Sequence, residues 1–257
     1  MMIGDLLDFD SLSKAIAGSD VVVVTSGFPR QPGMTREDLI GKNAEIITQV
    51  GTGIREHAPN SIIVMVTNPL DLMTYHMQKV TGFSPERVVG QAGILDSARM
   101  THFVAQELGC SNEDVTAMVL GGHGDTMVPL PRYTTVGGIS ITHLMDAETI
   151  DAISKRTAGG GGEIVKLLEK GSAFYAPGSA AAIMAEAIVK DRKRFIPASA
   201  HLTGQYGLDD VYIGVPIVLG RKGVERIIEL ELADAELESL QGSGNFYKSQ
   251  LSELLGY

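Results

Sequence analysis

Cysteine is almost absent from this chain: Cys110 is the only one in 257 residues. A lone thiol can form neither an internal disulfide framework nor a cysteine metal cluster, which fits a reducing compartment. Long apolar runs are also missing. None approaches the roughly 20 residues a membrane helix requires, so no membrane span is expected. The opening Met1-Met2-Ile3, followed at once by Gly4, Asp5 and Asp8, has neither the basic start nor the sustained apolar stretch of a signal peptide. A cytoplasmic protein is the expectation. Excess positive charge is lacking too, with a net charge of -10. Nucleic acid is therefore excluded as a general partner, because phosphate binding needs clustered cations. There are no internal repeats, and low complexity is limited to Gly159–Gly162.

What is present reads as alternating strands and helices. Ser19–Gly27, SDVVVVTSG, is a continuous β-branched run ending in small residues, the pattern of a parallel strand buried on both faces. A loop rich in proline, glycine and arginine follows over Phe28–Asp38. Thr35 and Asp38 have capping-box spacing and open a helix to about Ala58, with Leu39, Ile46, Ile47, Val50 and Ile54 on its apolar face. Ser61–Thr67 is a second buried strand, and Asn68-Pro69 leads into a helix through about Lys79. A short strand at Arg87–Gly90 precedes a helix at Ile94–Leu108 and a buried strand at Val115–Leu120.

Beyond that point the pattern predicts a helix over 147–170, broken or kinked at Gly159–Gly162, where each glycine costs about 1 kcal/mol against alanine. A helix at Gly178–Lys190 follows. Three strands with hairpin-like spacing come next, at Arg194–Leu202, Val211–Leu219 and Val224–Leu230. An amphipathic helix from Asp234 to about Leu255 closes the chain. The rhythm is that of an α/β protein. The expected domains are a truncated Rossmann-like parallel sheet over residues 1–91 and a mixed α+β substrate domain over 92–257.

The segment GGHGD, Gly121–Asp125, places His123 between glycines at the end of a strand, where backbone can turn and a ligand can come close. Histidine titrates nearest neutrality and can give or take a proton there. Taken alone, the segment is equally a histidine in a glycine turn with no chemistry. Its company alters that reading. Arg30, Arg36, Asn68, Asp96 and Arg99 all lie near the ends of elements, where sites form in open α/β sheets.

PRQPGMTRED at Pro29–Asp38, VTNPLD at Val66–Asp71, GILDSAR at Gly93–Arg99 and GGHGD, in this order and spacing, resemble the malate and lactate dehydrogenase family. SAFYAP at Ser172–Pro177 and GQYG at Gly204–Gly207 extend the resemblance, which runs from about Gly18 to the end. The bacterial malate dehydrogenases whose sequences lie nearer lactate dehydrogenase are resembled most. The resemblance implies hydride transfer between NAD and a 2-hydroxy acid, with His123 as proton donor or acceptor and Asp96 as its partner. It makes Arg99 the clamp on a substrate carboxylate, Arg36 the group that polarises the reacting carbonyl, and Asn68 a substrate contact. Arg30 occupies the position that reads the second carboxylate of oxaloacetate, which points to malate as substrate. Asn43 would face the nicotinamide, with the backbone of Val66, Thr67 and Asn68 also meeting the cofactor. A homodimer or homotetramer and a place in the tricarboxylic acid cycle are implied in the same way.

The chain departs from the family pattern in one respect. The G-x-G-x-x-G turn that cradles a dinucleotide pyrophosphate is not in the sequence, nor is the acidic residue for the adenosine ribose; Asp8 and Asp10 are poor substitutes for it. A start assigned too late, a deliberately shortened chain and a natural remnant each account for this. An exposed sheet edge is expected to result. Beside malate dehydrogenase two alternatives stand open: L-lactate dehydrogenase, and a non-catalytic remnant acting through protein interaction.

Overall fold

The computed structural model describes residues 8–28, 36–169 and 173–257, leaving aside the side chains of residues 9, 36–38 and 254. The expected cap at Thr35 and the position of Arg30 lie outside the described residues. In chain order the elements begin with α1 (Phe9–Ile16), β1 (Val21–Val24), α2 (Arg36–His57), β2 (Ile62–Met65), α3 (Leu70–Thr81), β3 (Val88–Gly90) and α4 (Ala92–Leu108). Short strands follow: β4 (Val115–Thr116), β5 (Val119–Gly121), β6 (Met127–Pro129), β7 (Thr135–Val136) and β8 (Ile139–Ser140). The chain finishes with α5 (Ala147–Leu168), α6 (Tyr175–Val189), β9 (Arg194–Thr203), β10 (Asp209–Gly220), β11 (Gly223–Ile227) and α7 (Asp234–Leu255).

One sheet of eight strands carries both halves, in the order β1-β2-β3-β9-β10-β5-β6, with β11 also on β10. The first three strands are parallel and the rest antiparallel. Short β-branched runs separated by helices favour the parallel end, whereas β9 to β11 follow one another closely enough to pair as hairpins. A row of small residues crosses the seam: Gly90 stands opposite Ser199, Ser199 opposite Gly214, and Gly214 opposite Gly121. The glycines allow close approach. A Cβ on Gly90 would come within 2.7 Å of the Ser199 Cβ, and one on Gly214 within 2.5 Å of the Gly121 carbonyl oxygen.

Four expectations need correction. The strand at β1 is not buried on both faces, since Val23 is 40% exposed and only Val24 is buried. Among the described residues β1 ends the sheet and pairs with β2 alone, so one side has no neighbouring strand. The run 115–120 is two strands. β4 pairs with β7 in a separate three-stranded sheet, while β5 joins the main one.

Helix α5 continues unbroken through Gly159–Gly162. Tertiary packing outweighs the weak helix propensity there: Gly160 is buried, and a Cβ on it would lie 3.2 Å from Arg99 Cδ, so the bare backbone makes room for the arginine. Helix α6 begins at Tyr175 rather than Gly178, because Pro177 sits in the first turn, where the missing N–H costs nothing.

Candidate active site

Four elements deliver the candidate residues to the carboxyl ends of the parallel strands and the adjoining end of β5. His123 follows β5 directly. Asp96 and Arg99 lie one turn apart on α4, which packs against β5 and β9. Asn68 sits between β2 and α3, where its peptide with Pro69 is cis, and it is exposed. Among the predicted residues the structure brings together His123, Asp96 and Arg99 in one connected group. His123 Nδ1 is 2.8 Å from Asp96 Oδ2, and Arg99 Nη1 donates to Asp96 Oδ1 at 3.0 Å. Asp96 is buried, and the side chains of Arg99 and His123 are 13% and 15% exposed. One carboxylate thus uses both oxygens on two cationic partners.

Burial alone would push the His123 midpoint down from its ordinary 6.5. The charge of Asp96, its hydrogen bond and the charge of Asp71 outweigh burial and the opposing charge of Arg99, and the midpoint is raised. Arg99 Nε, packed against Gly160, has no hydrogen-bond partner among the described residues.

His123 looks into a cleft of about 760 Å³ that runs along the ends of β1 and β2 toward α6. Val23, Thr25, Gly27, Val66, Thr67 and Asn68 form its floor, and Pro177, Ala181 and Ala185 its opposite wall. Asp96 and Arg99 are not among the residues of this lining. Asn43 reaches the cleft, but its amide is already engaged: Oδ1 accepts from the Phe28 N–H at 2.7 Å and Nδ2 donates to the Asn68 carbonyl at 2.7 Å. It straps the end of β1 to the end of β2. Thr67 does similar work by donating to the Ser26 carbonyl at 2.7 Å.

Arg30 lies outside the described residues. Arg36 is the first residue of α2, and its side chain is outside the description. Asp8, weighed as a ribose ligand, instead caps α1 by accepting from the Asp10 N–H at 3.2 Å.

Two residues of this neighbourhood had no role assigned from the sequence. Asp71, in the first turn of α3, is 1% exposed and accepts from Ser199 Oγ at 2.7 Å and from the His123 backbone N–H at 2.9 Å. Burial pushes its carboxyl up to about 6 despite these two donors. Gln91 lines the cleft just after β3 and donates to the Pro177 carbonyl at 2.6 Å, tying α6 to the sheet. Their only signal was position, next to Asn68-Pro69 and at a strand end. Of the other histidines, His76 lies 2.8 Å from Thr48 Oγ1 and 2.7 Å from the Tyr257 hydroxyl.

An open parallel sheet with a cleft at its carboxyl edge, joined to an antiparallel half that offers a carboxylate-held imidazole to that cleft, defines an α/β protein with an acid–base group at its ligand edge. Residues 5–90 match the model of the lactate/malate dehydrogenase NAD binding domain, and residues 94–255 match that of the lactate/malate dehydrogenase alpha/beta C-terminal domain. The chain belongs to the lactate/malate dehydrogenase family. It is 54% identical to the malate dehydrogenase of Methanosarcina mazei over 239 residues, which is 93% of this chain and 78% of that protein. The apo malate dehydrogenase from Picrophilus torridus superposes with a TM-score of 0.93 at 49% identity, over 96% of this chain and 78% of that one. A lactate dehydrogenase from Cryptosporidium parvum, solved with lactic acid and β-nicotinamide adenine dinucleotide, gives a TM-score of 0.90 at 40% identity, over 95% and 79% of the two chains.

Proposed function

We propose that this chain interconverts (S)-malate and oxaloacetate with NAD as the redox partner. The observation that carries the reading is the Asp96–His123 contact at 2.8 Å, with Arg99 on the other carboxylate oxygen. With Nδ1 donating to Asp96, the proton exchanged with substrate is the one on Nε2. Asp96 fixes the tautomer and stabilises the imidazolium. Among the described residues only Asp96 takes a hydrogen bond from Arg99, which leaves Nη2 and the second N–H of Nη1 for a substrate carboxylate, a fork suited to two parallel hydrogen bonds. Arg36 polarises the carbonyl that His123 protonates, Arg30 accepts the second carboxylate of oxaloacetate, and Asn68 orients the substrate from the cleft floor.

The residues present fit the nicotinamide end of the cofactor. The cleft is mostly apolar, Gly27 leaves no room for a side chain because a Cβ there would lie 2.8 Å from Thr67 Cγ2, and the Asn43 strap holds the two strand ends together. When bound, NAD supplies the site that accepts or returns hydride. The backbone of Val66, Thr67 and Asn68 would hold it, with Asn43 fixing that backbone. Among the described residues no helix is long and apolar enough to cross a membrane. A cytoplasmic location, a homodimer or homotetramer and a place in the tricarboxylic acid cycle complete the reading.

Following NADH oxidation with oxaloacetate and with pyruvate tests it. Oxaloacetate is expected to be preferred, and Arg30→Gln to shift preference toward pyruvate by at least about tenfold, because a charge left without its partner carboxylate is penalised by several kcal/mol. Faster turnover of pyruvate by the unaltered chain would make it a lactate dehydrogenase instead.

A further inference from the structure

His123 is held at two points by two different carboxylates. Asp96 takes the ring; Asp71 takes the main chain, through Oδ2 on the backbone N–H at 2.9 Å. Asp71 is buried on α3, and its other oxygen accepts from Ser199 Oγ on β9 at 2.7 Å, so this carboxylate joins the first helix turn after Asn68-Pro69, the central strand β9 and the histidine loop. No lysine or arginine pairs with Asp71 among the described residues. A buried anion without a cation is costly, and the cationic partner within its reach is the imidazolium of His123.

The charged and titratable groups facing His123 are Asp71 from α3 and Asp96 and Arg99 from α4, while Ser199 from β9 faces Asp71. On the α7 side, Tyr247 packs against Gly122, and Ser243 Oγ accepts from the Gly122 N–H at 3.0 Å.

We propose that Asp71 is a positioning residue for proton transfer: it sets where His123 stands through the main-chain bond, and its buried negative charge acts on the ring alongside that of Asp96. The inference rests on the proton-transfer role given to His123. When Asp71 takes up a proton, the Ser199 hydroxyl can turn and accept from it, so the contact to the His123 N–H survives while the charge is lost. Geometry and charge are therefore separable by substitution. Asp71→Asn can keep both contacts, with Oδ1 accepting from His123 and Nδ2 donating to Ser199, and removes the charge. Asp71→Ala removes both contacts.

The test is histidine-ring NMR of the ligand-free chain titrated with pH, the His123 signal being assigned by its loss in His123→Asn. Asp71→Asn is expected to lower the His123 midpoint by about half a pH unit or more. The pH profile of oxaloacetate reduction should move with it, and the rate on the acid plateau should fall less than about tenfold. Asp71→Ala should lower kcat by about a further tenfold with KM little changed, as loss of position rather than of binding predicts. An unmoved His123 midpoint in a folded Asp71→Asn chain overturns the proposal. Should Asp71→Asn not fold, Asp71→Ala, which also removes the charge, is read in the same titration, and an unmoved midpoint there overturns the proposal equally. If the unaltered chain turns over no oxaloacetate while the midpoint still moves, the enzymatic reading fails, and what stands is the action of the Asp71 charge on the His123 ring.

Discussion

Around the β1 end of the sheet, the cleft is walled by Val23, Gly27, Val66 and the alanines of α6, which offer shape and little charge. Around the β5 end, the polar groups are tied to one another before any ligand arrives: Asp96 to His123 and Arg99, Asp71 to His123 and Ser199, Gly122 to Ser243. The difference follows from what each region has to do. Moving a proton at a stated nitrogen needs charges already in place, since dipoles that must reorganise during the reaction raise its barrier. Sheathing an aromatic ring needs a fitted apolar slot. The charged region is the costlier one to build. Asp71 raised from 3.8 to about 6 contributes stability at acid pH that is lost as pH rises through 6, a cost on the order of 3 kcal/mol at neutral pH and above.

This contrast can be broken by substitution. The largest effect is expected from Asp96→Asn. In the proposed reaction oxaloacetate reduction consumes the imidazolium, so its rate is expected to fall as pH rises through the raised His123 midpoint. Asp96→Asn should lower the rate about 100-fold or more and move that midpoint to lower pH, as read from kcat/KM profiles. The same sign governs stability: protonated His123 supports the fold below its ordinary 6.5, and this support is lost as pH rises through the folded midpoint.

A smaller effect belongs to the other region. Gly27→Ala places a Cβ 2.8 Å from Thr67 Cγ2 and 3.2 Å from Asn43 Oδ1, and should weaken NADH binding about tenfold by fluorescence titration while leaving the His123 midpoint unmoved. A shifted midpoint in that variant would show the two regions to be coupled. The smallest effect lies in α5. Gly162→Ala meets nothing within 4 Å and should raise stability by up to about 1 kcal/mol in a urea melt with KM unchanged. Gly160→Ala should gain less and raise the KM for oxaloacetate, because Arg99 must give way.

Much of the frame was legible because it is written locally. The runs at Ile62–Met65 and Val88–Gly90, and the positions of His123, Asp96 and Arg99, all follow from short-range pattern or family spacing. What escaped depends on distant partners. Val115–Leu120 reads as one strand until β7 and β10 claim its two ends, and the glycines of α5 read as a break until Arg99 is laid across them. Edge exposure at Val23 is likewise a property of what lies beside a strand, not of its composition. Asp71 was in plain view within VTNPLD, but its worth comes from Ser199, 128 residues later.

The row Gly90–Ser199–Gly214–Gly121 has a bearing on how such proteins can be recombined. It spans three strand spacings, about 14 Å, and its bare backbones leave no slack for a larger side chain at either glycine contact. The distance from the nucleotide edge to the histidine loop is thus set by main chain alone. A chimera that takes its first half from one relative and its second from another should keep its geometry if all four residues of the row are retained, however far the surfaces on either side have drifted. If one of the four is enlarged, the two halves fall out of register.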